Sequence, residues 1–326
     1  MKTRNVMRIV GLLLSLSVPA ATAQTTLWTQ NFESDTTANW AVNTLGTGAD
    51  ANFFFDYSSV GIPKAPHSGA GDGTYGLRLR ANQYGLGGTF PGGVSVSPSG
   101  LSLPGDFILR FDMWLNFNGP APGGGSGSTQ VSGAGIGTAG SSAQIAGGTV
   151  DSIFFGATGE GGSSVDYRAY APAAQSGYGD TSGVFAAGSA SGVRNNTHAY
   201  YAGFGAASAP AAQLALYPQQ TGTTAAGALG WAWRDVEIAK LGNMVTWTVD
   251  GLLIATVDTT AAGTLGGNNI LFNHFDINAT VSSDPNSPAL LFGLFDNVVV
   301  YVPEPTSATL TLMGLAALVL AARRRA

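Results

Sequence analysis

The chain has 326 residues, 44% of them hydrophobic and 10% aromatic, with 47 glycines, no cysteine and a formal charge of −5. Such a composition excludes a disulfide-stapled scaffold, and the aromatic content argues against a disordered chain. Between residues 24 and 305, eight bases (Lys64, Arg78, Arg80, Arg110, Arg168, Arg194, Arg234, Lys240) face nineteen acids, a net −11, which excludes a nucleic-acid or anionic-lipid binder of the usual basic kind.

The N-terminus carries Lys2, Arg4 and Arg8, then an apolar run from Ile9 to Val18, then Pro19 and Ala21-Thr22-Ala23. A basic start, a short apolar core and a small-x-small site make a signal peptide, residues 1–23, with cleavage between Ala23 and Gln24. About 280 residues follow, enough for one large β domain with a sizeable core.

Strands are expected at Thr26–Phe32 and at Leu77–Arg80. The clearest strand is Phe107–Phe117, where Phe107, Leu109, Phe111, Met113, Leu115 and Phe117 share one face and Arg110, Asp112, Trp114 and Asn116 the other. It reads as half-buried. Gly119–Gly148 and Ala171–Gly230 are rich in Gly, Ala and Ser and read as long loops or edge hairpins. Short strands are expected near Ser152–Gly156, Val165–Tyr170 and Tyr200–Gly205. Trp231–Ile238 alternates again. Met244–Val249 and Leu252–Val257 flank Asp250-Gly251, a two-residue hairpin signal. Phe292–Val302 is a closing strand rich in Val and aromatics.

No segment of this region shows a helical period. Strands divided by turn residues predict an all-β, two-sheet antiparallel jelly-roll-like sandwich over residues 24–302, with first and last strands paired. The run from Trp233 to Ala255 and the segment Phe292–Val300, with Asn31-Phe32-Glu33-Ser34-Asp35 at the start, resemble the closing strands of concanavalin A-like and laminin-G-like jelly rolls.

Candidate chemistry is sparse. A glycosidase of the concanavalin A-like class uses paired carboxylates at short spacing. Here Glu33, Glu160, Glu237 and Glu304 are all distant from one another, which leaves a glycosidase as the third reading. No Gly-x-Ser-x-Gly elbow occurs, and His67, His198 and His274 lie apart in loop-like contexts. Gly135-Ile136-Gly137-Thr138-Ala139-Gly140 fits a dinucleotide pattern but lacks the flanking strand and helix that phosphate binding requires.

Asp296 interrupts the apolar face of Phe292, Leu294, Val298 and Val300. A carboxylate facing a core must be hydrogen-bonded, paired or bound to a cation. Either it accepts backbone N–H bonds in a turn or faces outward, or it binds structural calcium with Glu33 from the first strand. Trp114, Trp231 and Trp233, with Tyr167 and Tyr170, form either a sugar-stacking platform or ordinary core. On the platform reading the domain is a lectin-like, carbohydrate-binding module.

The chain ends in Pro303-Glu304-Pro305, an uncharged apolar segment Thr306–Ala322, and Arg323, Arg324 and Arg325. As a helix the segment reaches roughly 25 Å, the lower edge of a membrane span, with the arginines on the cytoplasmic side. This arrangement resembles the PEP-CTERM sorting signal. The resemblance implies a Gram-negative cell, transient membrane anchorage, an exosortase-type protease as partner and delivery to the cell surface or matrix, where extracellular polysaccharide is a candidate partner. With no catalytic signature, the expected role is a non-enzymatic surface component, without a cofactor beyond the calcium considered above.

Overall fold

The computed structural model describes residues 24–123 and 129–302. The signal peptide, the segment 124–128 and the tail with its expected helix lie outside the described residues. The described residues from 26 to 302 form one compact unit. It is an all-β sandwich of two antiparallel sheets, as expected.

Strands are numbered from the N-terminus. The eight-stranded sheet runs β12 (Leu252–Asp258), β11 (Met244–Val249), β10 (Trp233–Leu241), β6 (Phe107–Asn116), β14 (Phe292–Val302), β4 (Tyr75–Arg80) and β3 (Asp50–Asp56), and β1 (Thr25–Gln30) also pairs with β14. The six-stranded sheet runs β2 (Trp40–Leu45), β5 (Gly92–Pro98), β13 (Asn269–Asp276), β7 (Gln130–Thr138), β8 (Ile153–Thr158) and β9 (Tyr167–Tyr170). The chain passes repeatedly from one sheet to the other, the habit of a jelly roll. At the hairpin, Asp250 and Gly251 take φ of 48° and 77°, the left-handed pair that a two-residue turn needs.

Between the sheets lies the main core, with Leu109, Phe111 and Met113 of β6 meeting Phe272 and Ile270 of β13. Each sheet also buries part of its outer face. On the large sheet, Trp114, Trp231, Phe292 and Leu294 pack beneath Tyr57, Val60 and Ile62. On the small sheet, Phe154, Tyr170, Leu271 and Phe275 pack beneath Ala143, Ile145 and Val150. Hence β6 is not half-buried: from Phe111 onward both of its faces are covered.

Several expectations need correction. Gly119–Gly148 is not all loop, for it contains β7, which is buried along its whole length. Its glycines hide the alternation because they carry no side chain, and they are required: a Cβ on Gly133 would overlap the Phe155 carbonyl oxygen. Tyr200–Gly205 is no strand but part of a 3₁₀ helix, Ala199–Phe204. Strands β2, β3, β5 and β13 were not anticipated. In β13, Ile270, Phe272 and His274 face one side while Leu271 and Phe275 face the other, and a strand apolar on both sides has no period-two signal. His274 accordingly sits in a buried strand, not a loop.

Candidate functional site

The register of the large sheet brings together three carboxylates that are far apart in sequence. Asp235 of β10, Asp112 of β6 and Asp296 of β14 form one cross-strand row on the outer face. Like charges placed opposite one another in a sheet repel. Each member of the row is relieved differently.

Asp235 is held by Arg110 through two parallel hydrogen bonds, Nε to Oδ1 at 2.7 Å and Nη2 to Oδ2 at 2.6 Å. This bidentate geometry is the strongest pairing of these two groups. Asp112 is 0% exposed. Its Oδ1 lies 2.6 Å from His67 Nδ1, and its Oδ2 accepts from the His67 backbone N–H at 3.1 Å and from Asn297 Nδ2 at 2.8 Å. Asp296 is 1% exposed. It accepts from its neighbour's backbone, Asn297 N–H, at 2.7 Å and from the Tyr57 hydroxyl at 3.0 Å. Burial, aided by the charges of Asp112 and Glu33, pushes the Asp296 carboxyl up to about 8. A proton retained on Asp296 thus relieves the crowding in the row.

Asp296 does not share a face with Val298 and Val300, as the alternation suggested. A β-bulge interrupts the β14–β6 register between Asp296 and Val299, with Asn297 left-handed at φ 51°. The extra residue flips the parity. Phe292 and Leu294 lie in the outer cluster, whereas Phe295, Val298 and Val300 face the main core.

The segment from Tyr57 to Thr74 straps this face. Besides the bonds from Tyr57 and His67, the Trp233 indole N–H donates to the Pro63 carbonyl at 2.7 Å, and Asn297 Nδ2 to Ser68 Oγ at 3.1 Å. A cleft of about 340 Å³ opens beside the strap, lined by Gln30, Asn31, His67, Asn297 and Val299 among others.

The His67–Asp112 pair has the outline of an acid–base dyad, and its hydrogen bonds show how it is configured. Arginine can only donate, and Arg110 Nη2 lies 2.9 Å from His67 Nε2. Nε2 is therefore the acceptor, and Nδ1 carries the hydrogen that Asp112 receives. The lone pair that a general base would use is already occupied.

A second histidine pair lies between the sheets. Ser132 Oγ is 2.7 Å from His274 Nδ1, and Gln130 Oε1 bonds His274 Nε2. The amide oxygen can only accept, so Nε2 bears the hydrogen and Nδ1 accepts from Ser132. Burial holds this imidazole down to about 3, and a Cβ on the facing Gly293 would overlap Ser132 Oγ. The pair is sealed in the core.

Of the residues considered for calcium, Asp296 has its oxygens engaged by Tyr57 and Asn297, and Glu33 is half-buried nearby. The expected pairing of β1 with β14 brings them into one neighbourhood. Among the described residues, no three His, Asp or Glu side chains gather as a metal site. Of the tryptophans, Trp114 is 2% and Trp231 3% exposed, and Trp231 stacks on Phe117 at 4.2 Å. Trp233 is half-buried with its ring edge against Tyr57 and Trp114. Tyr167 and Tyr170 are buried. These rings pack; Trp114 and Trp231 offer no open face to a sugar. Gln24 is exposed, while Ala23, Pro303, Glu304, Pro305 and the three arginines fall outside the described residues. Sequence reasoning missed Asp112, His67 and Tyr57, because a lone Asp on each of three strands becomes a row only through register.

The fold defines an all-β protein with two packed antiparallel sheets, and this assignment rests on the strand order. Residues 302–325 match the PEP-CTERM protein-sorting motif, which implies export, a Gram-negative cell-surface sorting route and processing by an exosortase. No curated protein matches the chain. Among solved structures, a Bacillus subtilis protein of unknown function with a galectin-like fold is similar at 9% identity, TM-score 0.43, covering 85% of this chain and 96% of that one. A Bacillus licheniformis β-glucanase is similar at 11% identity, TM-score 0.40, covering 87% and 100%. An endo-acting O-glycanase from the human gut microbiota is similar at 13% identity, TM-score 0.41, covering 86% and 100%.

Proposed function

We propose that this protein is a non-catalytic surface or matrix component, exported and sorted through its C-terminus. One observation carries the reading: β14 ends at Val302, and the matched motif occupies 302–325. Pro303, the next residue, has no N–H with which to extend a strand ladder. Cleavage after that point leaves every strand of the sandwich intact. The absence of catalysis is supported by the chemistry of the carboxylate row. Asp112 and Asp296 are buried and bonded to the strap, and His67 Nε2 is occupied by Arg110. These groups act as a latch between strap and sheet.

The test is fractionation of cells producing the epitope-tagged chain beside a Pro303→Ala, Glu304→Ala variant. The parent is expected at the surface, shortened by its tail, with the variant retained in the envelope at full length. Full-length parent protein in the cytosol would refute the proposal. Polysaccharide hydrolysis that is lost on Asp235→Asn would replace it with a glycosidase.

A further inference from the structure

The described arginines are not equivalent. Arg80, Arg110, Arg194 and Arg234 each pair with an aspartate: Asp50, Asp235, Asp180 and Asp250. Arg78 also has a buried Nε without a hydrogen-bond partner, but its guanidinium lies over the Phe55 ring at 4.1 Å. Arg168 has no ion pair among the described residues, and its buried Nε has no hydrogen-bond partner. The nearby Asp166 is committed elsewhere, accepting from Thr158 Oγ1 at 2.6 Å and the Asn196 N–H at 2.8 Å. The buried Nε is out of reach of solvent and the guanidinium also bonds the Tyr170 hydroxyl, but without a carboxylate partner its charge is left for an anion in the cleft that Arg168 lines.

Its setting follows from the strand. In β9, Tyr167 and Ala169 point into the main core, so Arg168 and Tyr170 point outward. The residue opposite Arg168 on β8 is Gly156, and the space over that glycine is taken by the Val131 side chain. Arg168 lines a cleft of about 350 Å³ together with Tyr170, Phe90, Gln175 and Ser176. Beneath it, Tyr170 stacks on Phe154 at 4.5 Å, and both meet Phe275 edge-on. Phe90 is 50% exposed and forms an apolar wall against the loop at Gly147. Gln175 and Ser176 are exposed at the rim.

A planar five-donor fork, an apolar wall, a polar rim and room for one or two six-membered rings describe a particular ligand. Phe90 suits the C–H face of a pyranose, the rim suits hydroxyls, and the fork suits a carboxylate. One guanidinium in a domain of net −10 (eight bases, eighteen acids over residues 24–302) balances one negative charge, which favours a monoanion over a phosphate. We propose that this cleft binds a carboxylated sugar residue, a uronate, with Arg168 forked onto the carboxylate and Phe90 against the ring. This assigns a ligand class that the sorting reading leaves open, and it stands whether or not sorting occurs.

The test is calorimetric titration of the purified full chain, kept in solution in a sugar-free detergent, with D-glucuronate, D-glucose and a glucuronate oligomer. Glucuronate is expected to bind saturably and glucose at least about tenfold more weakly, as loss of a charge-assisted pair requires. Tighter binding of the oligomer identifies a polymer as the source, and equal binding identifies the free sugar. Arg168→Gln should lose about tenfold or more, and Phe90→Ala should weaken binding with the melting temperature unchanged. Should Arg168→Gln fail to fold, Ser176→Trp, placed on an exposed turn, fills the cleft mouth and should abolish binding. Equal affinity for glucose and glucuronate, undiminished binding by folded Arg168→Gln or Ser176→Trp, or no saturable heat with any probe would overturn the assignment.

Discussion

Replacing Asp296 with asparagine separates the charge of this residue from its shape. The carboxyl is 1% exposed and its pKa is raised from 3.8 to about 8, chiefly by burial. Between these values the folded protein holds a proton that the unfolded chain has released. The folded state therefore binds more protons, and the contribution of Asp296 to stability is full below about pH 4 and is lost as pH rises through about 8. At about 1.4 kcal/mol per pH unit, the displacement amounts to about 6 kcal/mol across that window. Asparagine keeps one acceptor oxygen, for the Asn297 N–H, sets its amide NH2 group toward the Tyr57 oxygen in place of the second carboxyl oxygen, and does not titrate. Three other buried groups also shape the total profile, among them Asp166, whose carboxyl is raised by burial. Glu160, raised to about 8 by burial, adds a parallel slope, and His274, lowered to about 3, works in the opposite sense below pH 6.5. The difference between parent and Asp296→Asn isolates the one residue. Urea unfolding at intervals from pH 4.5 to 8.5 should show the variant gaining on the parent by several kcal/mol as pH rises. A difference that stays within about 1 kcal/mol over the whole range would refute the account of a neutral, buried Asp296.

Trp114→Ala removes a ring that closes the outer cluster beneath Tyr57 and Trp233, and should cost about 3–5 kcal/mol in urea unfolding. Gly293→Ala places a methyl group against Ser132 and His274 and should cost about 1–3 kcal/mol, read as a lower melting temperature. Because Tyr57 and Asn297 satisfy Asp296, calcium added to EDTA-treated protein is expected to leave the melting temperature unchanged; a rise that Glu33→Gln abolishes would restore a calcium site there.

The elements legible from sequence share one property, a contrast between their two faces. Phe107–Asn116 alternates, Asp250-Gly251 marks its hairpin, and Phe292–Val302 was placed with its observed bounds. The elements that escaped lack that contrast. Strand β13 is apolar on both sides, and β7 has glycine at alternate positions where neighbouring backbone crowds in. The site escaped for a different reason. Asp112 looked like an ordinary solvent-facing residue of an amphipathic strand, and nothing local to it names His67 or Asp296 as neighbours.

Local pattern and composition were sufficient for an exported-looking architecture: two ends of opposite purpose, an acidic β sandwich between them, and a closing strand that stops at the proline of the terminal motif. Register, bulge and loop placement settled everything at the level of chemistry. One inserted residue at Asn297 turned Asp296 away from the main core, and a strap closed over a face that its polar residues had marked as open. Pairing between distant strands is a property of the assembled sheets, where a shift of one position exchanges inside for outside, and no short stretch of chain encodes it alone.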